Sequence, residues 1–201
     1  MAYNPKDRFF KKAKEEGFAA RSVYKLQEID QKFRVLKQGQ LVLDLGAAPG
    51  SWSQYTALKI GGHGRILGVD LSPVSVSLPN AVFIEADLRD LKLDEVFREK
   101  GFGDSFDVVM SDMAPKTTGI KSVDQARSFD LCELALDAAR RFTRPGGVFI
   151  CKFFHSGDFG TLRTQIKNEF EKVEVLKPES TRAISKEIFL IGLRRKARPQ
   201  S

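Results

Sequence analysis

The sequence predicts a doubly wound α/β fold, and three observations predict it. Apolar runs of strand length alternate with amphipathic helical stretches from residue 41 onward. Those runs are too apolar to leave one face in water, so helices must cover both faces of a mostly parallel sheet. Aspartates recur at or near the carboxyl ends of four runs, at Asp44, Asp70, Asp87 and Asp112, where open α/β sheets bind ligands.

In chain order, a basic helical stretch over 6–15 follows Asn4-Pro5. A second helix runs from a capping-type Ser22 to about Phe33, with Val23, Leu26 and Ile29 on one face. Leu41–Leu45 is a buried strand that ends in the turn Gly46-Ala-Ala-Pro-Gly50, with a helix over Trp52–Ile60 behind it. Strands are predicted at Gly64–Asp70 and Ala81–Asp87, a helix at Leu91–Lys100, and a strand at Phe106–Asp112. A long amphipathic helix spans Val123–Thr143 and is halted by Arg144-Pro-Gly-Gly147. A strand at Gly147–Phe153, a helix at Phe159–Glu169 and strands at Lys172–Lys177 and Glu187–Arg194 complete the pattern.

A chain of 201 residues, 42% of them hydrophobic, can bury one substantial core, so residues 1–201 are read as a single domain. Residues 1–35 form a basic helical extension and 194–201 a basic tail. No apolar run approaches the ~20 residues that span a bilayer, and the polar N-terminus lacks a signal peptide. Cys132 and Cys151, both in apolar surroundings, are expected to be buried free thiols; a cytoplasmic protein follows. The net charge is +7, and residues 1–40 hold ten Lys and Arg against five Asp and Glu. With the tail Arg194-Arg-Lys-Ala-Arg198, this leaves a nearly neutral body between two basic ends. Tyr3, Phe9, Phe10, Phe18 and Tyr24 are interleaved with the first set of charges, a pattern suited to nucleic acid.

Glycines at 46 and 50 let the backbone approach a ligand at the strand-to-helix turn after Asp44. The spacing is not the G-x-G-x-x-G of dinucleotide folds, and Pro49 removes an N–H that a pyrophosphate would use. Asp70 is placed to accept hydrogen bonds from ribose hydroxyls, and Asp87 from an adenine amino group; together they describe an adenosine pocket. Trp52 packs either beside that ligand or in the core.

Asp44-Leu-Gly-Ala-Ala-Pro-Gly-Ser-Trp-Ser-Gln54, Ser111-Asp-Met-Ala-Pro115, Gly119 and Lys152-Phe-Phe154 closely resemble the FtsJ/RrmJ ribose 2′-O-methyltransferases. The resemblance runs from Arg21-Ser-Val-Tyr-Lys-Leu26 to Ser185-Lys-Glu-Ile188. It implies a Rossmann-like fold with a seven-stranded sheet and an antiparallel edge strand, and S-adenosyl-L-methionine as cofactor. It puts cofactor contacts at Asp44, Gly46, Gly50, Trp52, Asp70, Asp87 and Asp112, and a catalytic set at Lys25, Asp112, Lys152 and Glu187. The implied acceptor is an RNA ribose hydroxyl: a uridine of 23S ribosomal RNA in the large subunit, or alternatively transfer RNA or another RNA. No metal is implied, and a monomer is expected from the small size. Ser51 departs from the family pattern, standing where a third glycine is common.

The four residues suit the chemistry. A ribose hydroxyl is a very weak acid, and a lysine can take its proton only as the neutral amine, a form that burial or a neighbouring cation favours. Lys152, flanked by Ile150, Cys151, Phe153 and Phe154, is the expected base, steered by Asp112. Lys25 and Glu187 shape charge and substrate position, while His155, three residues on, is read as a loop residue. A nicotinamide oxidoreductase fits the sheet but neither the glycine spacing nor the lysines. A non-catalytic RNA-binding module leaves the four residues without a role.

Overall fold

A computed structural model describes residues 8–90, 92–182 and 184–197. Tyr3, the start of the first predicted helix, Leu91 and residues 198–201 of the basic tail lie outside them. In chain order the elements are α1 (Arg8–Glu15), α2 (Val23–Phe33), β1 (Leu41–Leu45), α3 (Ser51–Ile60), β2 (Arg65–Asp70), β3 (Ala81–Glu85) and α4 (Leu93–Glu99). There follow β4 (Phe106–Ser111), α5 (Lys121–Phe142), β5 (Thr143–Phe154), α6 (Phe159–Glu169), β6 (Phe170–Leu176) and β7 (Glu187–Arg195).

Among the described residues the strands form one seven-stranded sheet, in the order β3-β2-β1-β4-β5-β7-β6. β1 pairs in parallel with β2 and β4, β2 with β3 and β4 with β5; β7 runs antiparallel to both β5 and β6. The chain winds outward from β1 to β3 and returns to β4, so the switch point of the winding falls between β1 and β4.

Alternation along the strands divides the core. Leu43, Leu45, Leu67, Val69 and Val109 pack with Phe97, Leu136, Phe142 and Ile166 on the face covered by α4, α5 and α6. Val42, Ile66, Val108, Met110, Ile150 and Phe189 pack on the other face with Val23, Leu26, Ile29 and Trp52 of α2 and α3. Burial on both sides is why the strands read as continuous apolar runs rather than alternating ones. None of the described helices is long and apolar enough to cross a membrane.

Two local expectations are corrected. Arg144-Pro-Gly-Gly147 does not separate helix from strand: α5 stops at Phe142 and β5 begins at once with Thr143. Phe106 pairs with Thr143 but Val108 with Val148, so residues 144–147 bulge out of the ladder, with Arg144, Pro145 and Gly146 exposed. The turn residues are absorbed into an irregular strand start, where an exposed Pro costs no ladder bond. Ser22 precedes α2 but makes no side-chain cap; its hydroxyl instead meets that of Ser51 at 2.8 Å. The start of α2 is thereby fastened to the start of α3.

The end of α2 is held by a buried acid. Asp30 accepts from the backbone N–H of Leu36 and from the Tyr55 hydroxyl, each at 2.9 Å. Burial and the neighbouring Asp30 charge push the Tyr55 hydroxyl up from its ordinary value. Asp30→Ala strands both donors in the interior and is expected to lower stability by about 2–4 kcal/mol, read from urea unfolding with an unchanged m-value.

Candidate active site

The turn after β1 and the segment after β4 face each other across the switch point. Gly46 has φ +80, and a Cβ placed there would lie 2.7 Å from Met113 Cγ and 3.0 Å from the Met113 backbone nitrogen. Glycine is required because the two segments touch and the backbone is left-handed. Between them and the ends of β2 and β3 lies a cavity of about 290 Å³, lined by Gly46, Ala48, Asp70, Asp87, Asp112 and apolar Val69, Leu71, Leu88 and Leu134, among others. This is near the lower end of ligand pockets, roughly 300–1,000 Å³.

Asp70 accepts from the backbone N–H of Ala48 and of Ser72, each at 2.9 Å. Asp87 lies two residues beyond the end of β3 and accepts from the Arg89 backbone N–H at 2.9 Å and its guanidinium at 3.3 Å. A carboxylate offers about four lone-pair directions, so each acid keeps acceptor capacity facing the cavity. Apolar walls with acceptors at successive strand ends fit an adenosyl group.

Three other expected cofactor residues lie outside the lining. Asp44 is fully buried inside β1, pointing to the α3 face, where it accepts from Ser53 Oγ at 2.7 Å. Among the described residues its other oxygen has no hydrogen-bond partner. Burial, with Asp112 and Asp70 adding repulsion, pushes its carboxyl up to about 7. Trp52 is in the core: it is 2% exposed, its ring packs 5.7 Å from that of Phe189, and its N–H donates to Ser22 O at 2.9 Å. Gly50 (φ +114) backs onto Val74 and Val76.

Asp112, in the cavity wall, belongs to the first of two lysine–carboxylate pairs. Lys152 Nζ lies 2.9 Å from Asp112 Oδ1 and also donates to the Asp112 carbonyl. Lys25 Nζ lies 2.5 Å from Glu187 Oε1, which also accepts from Thr181 Oγ1 at 3.2 Å. Strand register explains the meeting. The antiparallel β5–β7 pairing sets Phe154 opposite Glu187 and Lys152 opposite Phe189. Lys152, Glu187 and Phe189 therefore project from the sheet face on which α2 lies. Lys25 reaches them from α2, with its Nζ 6.0 Å from the centre of the Phe189 ring.

The supports of this set carried no signal in the sequence. Glu28, one turn after Lys25, accepts from the backbone N–H groups of Glu179 at 2.6 Å and Ser180 at 2.9 Å. Arg21 donates to Ser180 O. Together they pin to α2 the loop that presents Thr181 to Glu187. Beneath Lys152, the thiol of Cys132 donates to the Lys152 carbonyl at 2.9 Å, and Ser128 Oγ accepts from Phe154 N–H at 3.0 Å. Cys132 and Cys151 are buried free thiols; the hydrogen bond to Cys132 and burial raise the Cys151 thiol.

The inserted antiparallel β7, the glycine turn without dinucleotide spacing and the apolar cavity with acids at successive strand ends define an S-adenosyl-L-methionine-dependent methyltransferase. Within that class the chain belongs to the FtsJ-like methyltransferase family, whose model matches residues 18–195. It is 67% identical over 196 residues to the ribosomal RNA large subunit methyltransferase E of Bdellovibrio bacteriovorus, covering 98% of this chain and 100% of that protein. The protein of the same name from Sorangium cellulosum is 48% identical, covering 97% and 91%. Among solved structures, a ribosomal RNA methyltransferase from Plasmodium falciparum superposes with a TM-score of 0.76 at 28% identity, covering 90% of this chain and all of that one. The fold also matches Aeropyrum pernix fibrillarin, with a TM-score of 0.58 at 18% identity over 79% of this chain and 68% of that one.

Two outcomes test this geometry. Gly46→Ala drives a methyl group into Met113 at a left-handed backbone position, a strain of about 1–3 kcal/mol. Calorimetry should show S-adenosyl-L-methionine affinity lowered about tenfold. Asp44 is raised in the folded state, so its neutral form favours folding below the ordinary value, and this contribution is lost as pH rises toward about 7. Asp44→Asn removes that titration. Its melting temperature relative to wild type should climb between pH 4 and 7 and level off above, whereas a constant difference contradicts the assignment.

Proposed function

We propose that this protein transfers a methyl group from S-adenosyl-L-methionine to a ribose 2′-hydroxyl of RNA, a uridine of 23S ribosomal RNA in the large subunit. The observation that carries the reading is the position of Asp112, which lines the cofactor cavity and holds Lys152 through both its carboxylate and its carbonyl. Methyl acceptor chemistry and cofactor are joined at one residue. The ribosomal substrate rests on the relatives that carry that name along almost the whole chain.

When bound, the cofactor supplies a methyl group on a sulfonium sulfur, open to in-line displacement by an oxygen. The residues must align that oxygen and take its proton, and alignment supplies much of such an acceleration. Lys152 as a neutral amine has two N–H bonds and one lone pair. The two acceptors of Asp112 take the N–H bonds, and the lone pair is left to receive the 2′-hydroxyl proton. Lys152 is 8% exposed and Glu187 9%, so little water competes for either. The Lys25–Glu187 pair offers an ammonium and a carboxylate to the ribose, fixing the sugar beside Lys152. Asp70 and Asp87 hold the adenosyl group. The whole chain serves as one catalytic domain, cytoplasmic and monomeric, with its basic ends on RNA phosphates.

Lys152→Ala is expected to bind S-adenosyl-L-methionine as wild type does by calorimetry, yet to lose methyl transfer by about 10²–10⁴-fold, the usual worth of general base catalysis. Full activity in that variant removes Lys152 from the reaction. Tritium transfer to intact large subunits, free ribosomal RNA and transfer RNA, run in parallel, tests the substrate. Label confined to transfer RNA overturns the ribosomal reading.

A further inference from the structure

A basic groove, which shares no lining residue with the cofactor cavity, leads away from the catalytic set. It consists of two adjoining depressions, of about 280 and 710 Å³, which share Lys121, Gln125 and Lys186 as walls. The smaller reaches Phe154, the register partner of Glu187, and the larger reaches Ile188, the residue after it. The groove therefore begins where the acceptor ribose would sit. Lys121, Lys177 and Lys186 line it, all exposed and, among the described residues, without an ion pair.

Among the described residues the one acid in its wall is Asp124, and it is already engaged. Asp124 accepts from the backbone N–H and hydroxyl of Thr118, at 2.7 and 2.9 Å, and from Gly119 N–H at 3.2 Å. Three exposed lysines thus stand against one carboxylate that is largely occupied by its own loop, so the groove keeps a net positive charge. The same groove holds an aromatic platform. The His155 ring stacks on Phe159 with centroids 5.3 Å apart and planes 20° apart. The His155 backbone is fixed from both sides: its N–H donates to Lys186 O at 3.1 Å, and its carbonyl accepts from Gln125 Nε2 at 2.8 Å. A planar ring held at the surface among lysines is what a nucleobase and its phosphates need.

We propose that this groove binds the single-stranded RNA flanking the acceptor nucleotide, with one base stacked on His155 and the adjoining phosphates on Lys121, Lys177 and Lys186. The assignment rests on the RNA methyl-transfer reading for its orientation; its chemistry, an aromatic face within a cationic channel, stands on the groove. His155, on the loop between β5 and α6, thereby becomes a substrate-binding residue.

The test uses the full chain and a fluorescein-labelled oligouridylate, with binding followed by anisotropy across a salt series. Each lysine that meets a phosphate contributes about 0.7 to the slope of log affinity against log salt for a single strand. Lys121→Gln with Lys186→Gln should therefore flatten the slope by about 1.4. His155→Ala should weaken binding about tenfold with the slope unchanged, the order of one lost base stack, and His155→Phe should restore it. Lys100→Gln, at the amino edge of the sheet before β4, should change neither quantity.

Wild-type affinity and slope in the groove variants overturn the proposal. So does polyglutamate displacing the probe as well as unlabelled oligouridylate, which assigns the groove to an acidic polypeptide. Methyl transfer separates the two readings. If the groove variants bind the probe as expected but wild type labels no RNA, the groove stands and the methyl-transfer reading falls. If wild type labels RNA and the groove variants keep its KM, the groove falls and the reaction stands.

Discussion

The antiparallel pairing of β7 with β5 is the constraint on which the rest of this structure depends. A fully parallel sheet would bring the amino end of its next strand to the far edge, away from the ligand crevice. Here the reversed strand brings Glu187, its first residue, against Phe154, the last residue of β5. Two residues 33 positions apart in the chain thus become neighbours at the carboxyl edge. The same pairing puts Phe189 beside Lys152 and under Lys25, giving the lysine of α2 an apolar floor to cross. The loop from β6 to β7 must then pass over α2, where Glu28 and Arg21 hold it.

Charge at this edge is arranged in pairs because burial leaves little alternative. Two lysines brought together in an apolar setting would repel, and a buried unpaired ion costs several kcal/mol. Each has its own carboxylate, Asp112 for Lys152 and Glu187 for Lys25, so neither nitrogen is buried without a partner. Asp44 is the exception. It has a hydroxyl on one oxygen, nothing on the other and no cation, and burial raises its carboxyl to about 7.

The two faces of the sheet divide the work. On one face α2 and α3 carry Lys25 and fasten themselves together through Ser22, Ser51 and Trp52. On the other, α5 holds β5 from below through Ser128 and Cys132, one turn apart on the helix. The backbone that carries Lys152 is therefore held from the α5 side while Lys25 and Phe189 stand on the α2 side. The turn at Gly46 then has only to touch Met113 for the crevice to be closed on its third side.

The sequence by itself determined the alternation of strands and helices, the cradle at Gly46 and the acids at the ends of β2, β3 and β4. These are local matters: period, backbone freedom, and a polar residue at the end of an apolar run. By resemblance it also named Lys25, Asp112, Lys152 and Glu187. What only the tertiary structure decided was where side chains with two plausible destinations go. Trp52 lies in the core because α2 offers Ser22 O to its N–H; Asp44 faces α3 because strand parity turns it from the cavity. Arg144–Gly147 bulges because β5 must begin directly after α5 to keep register with β4. Glu28 and Cys132 carried no motif, since their partners are backbone atoms 151, 152 and 20 residues away, and Thr181 meets the Glu187 side chain six residues on only because the loop between them folds back. Periodicity reports what one segment wants, whereas pairing across the sheet sets which segments meet, and that is fixed only when the whole chain packs.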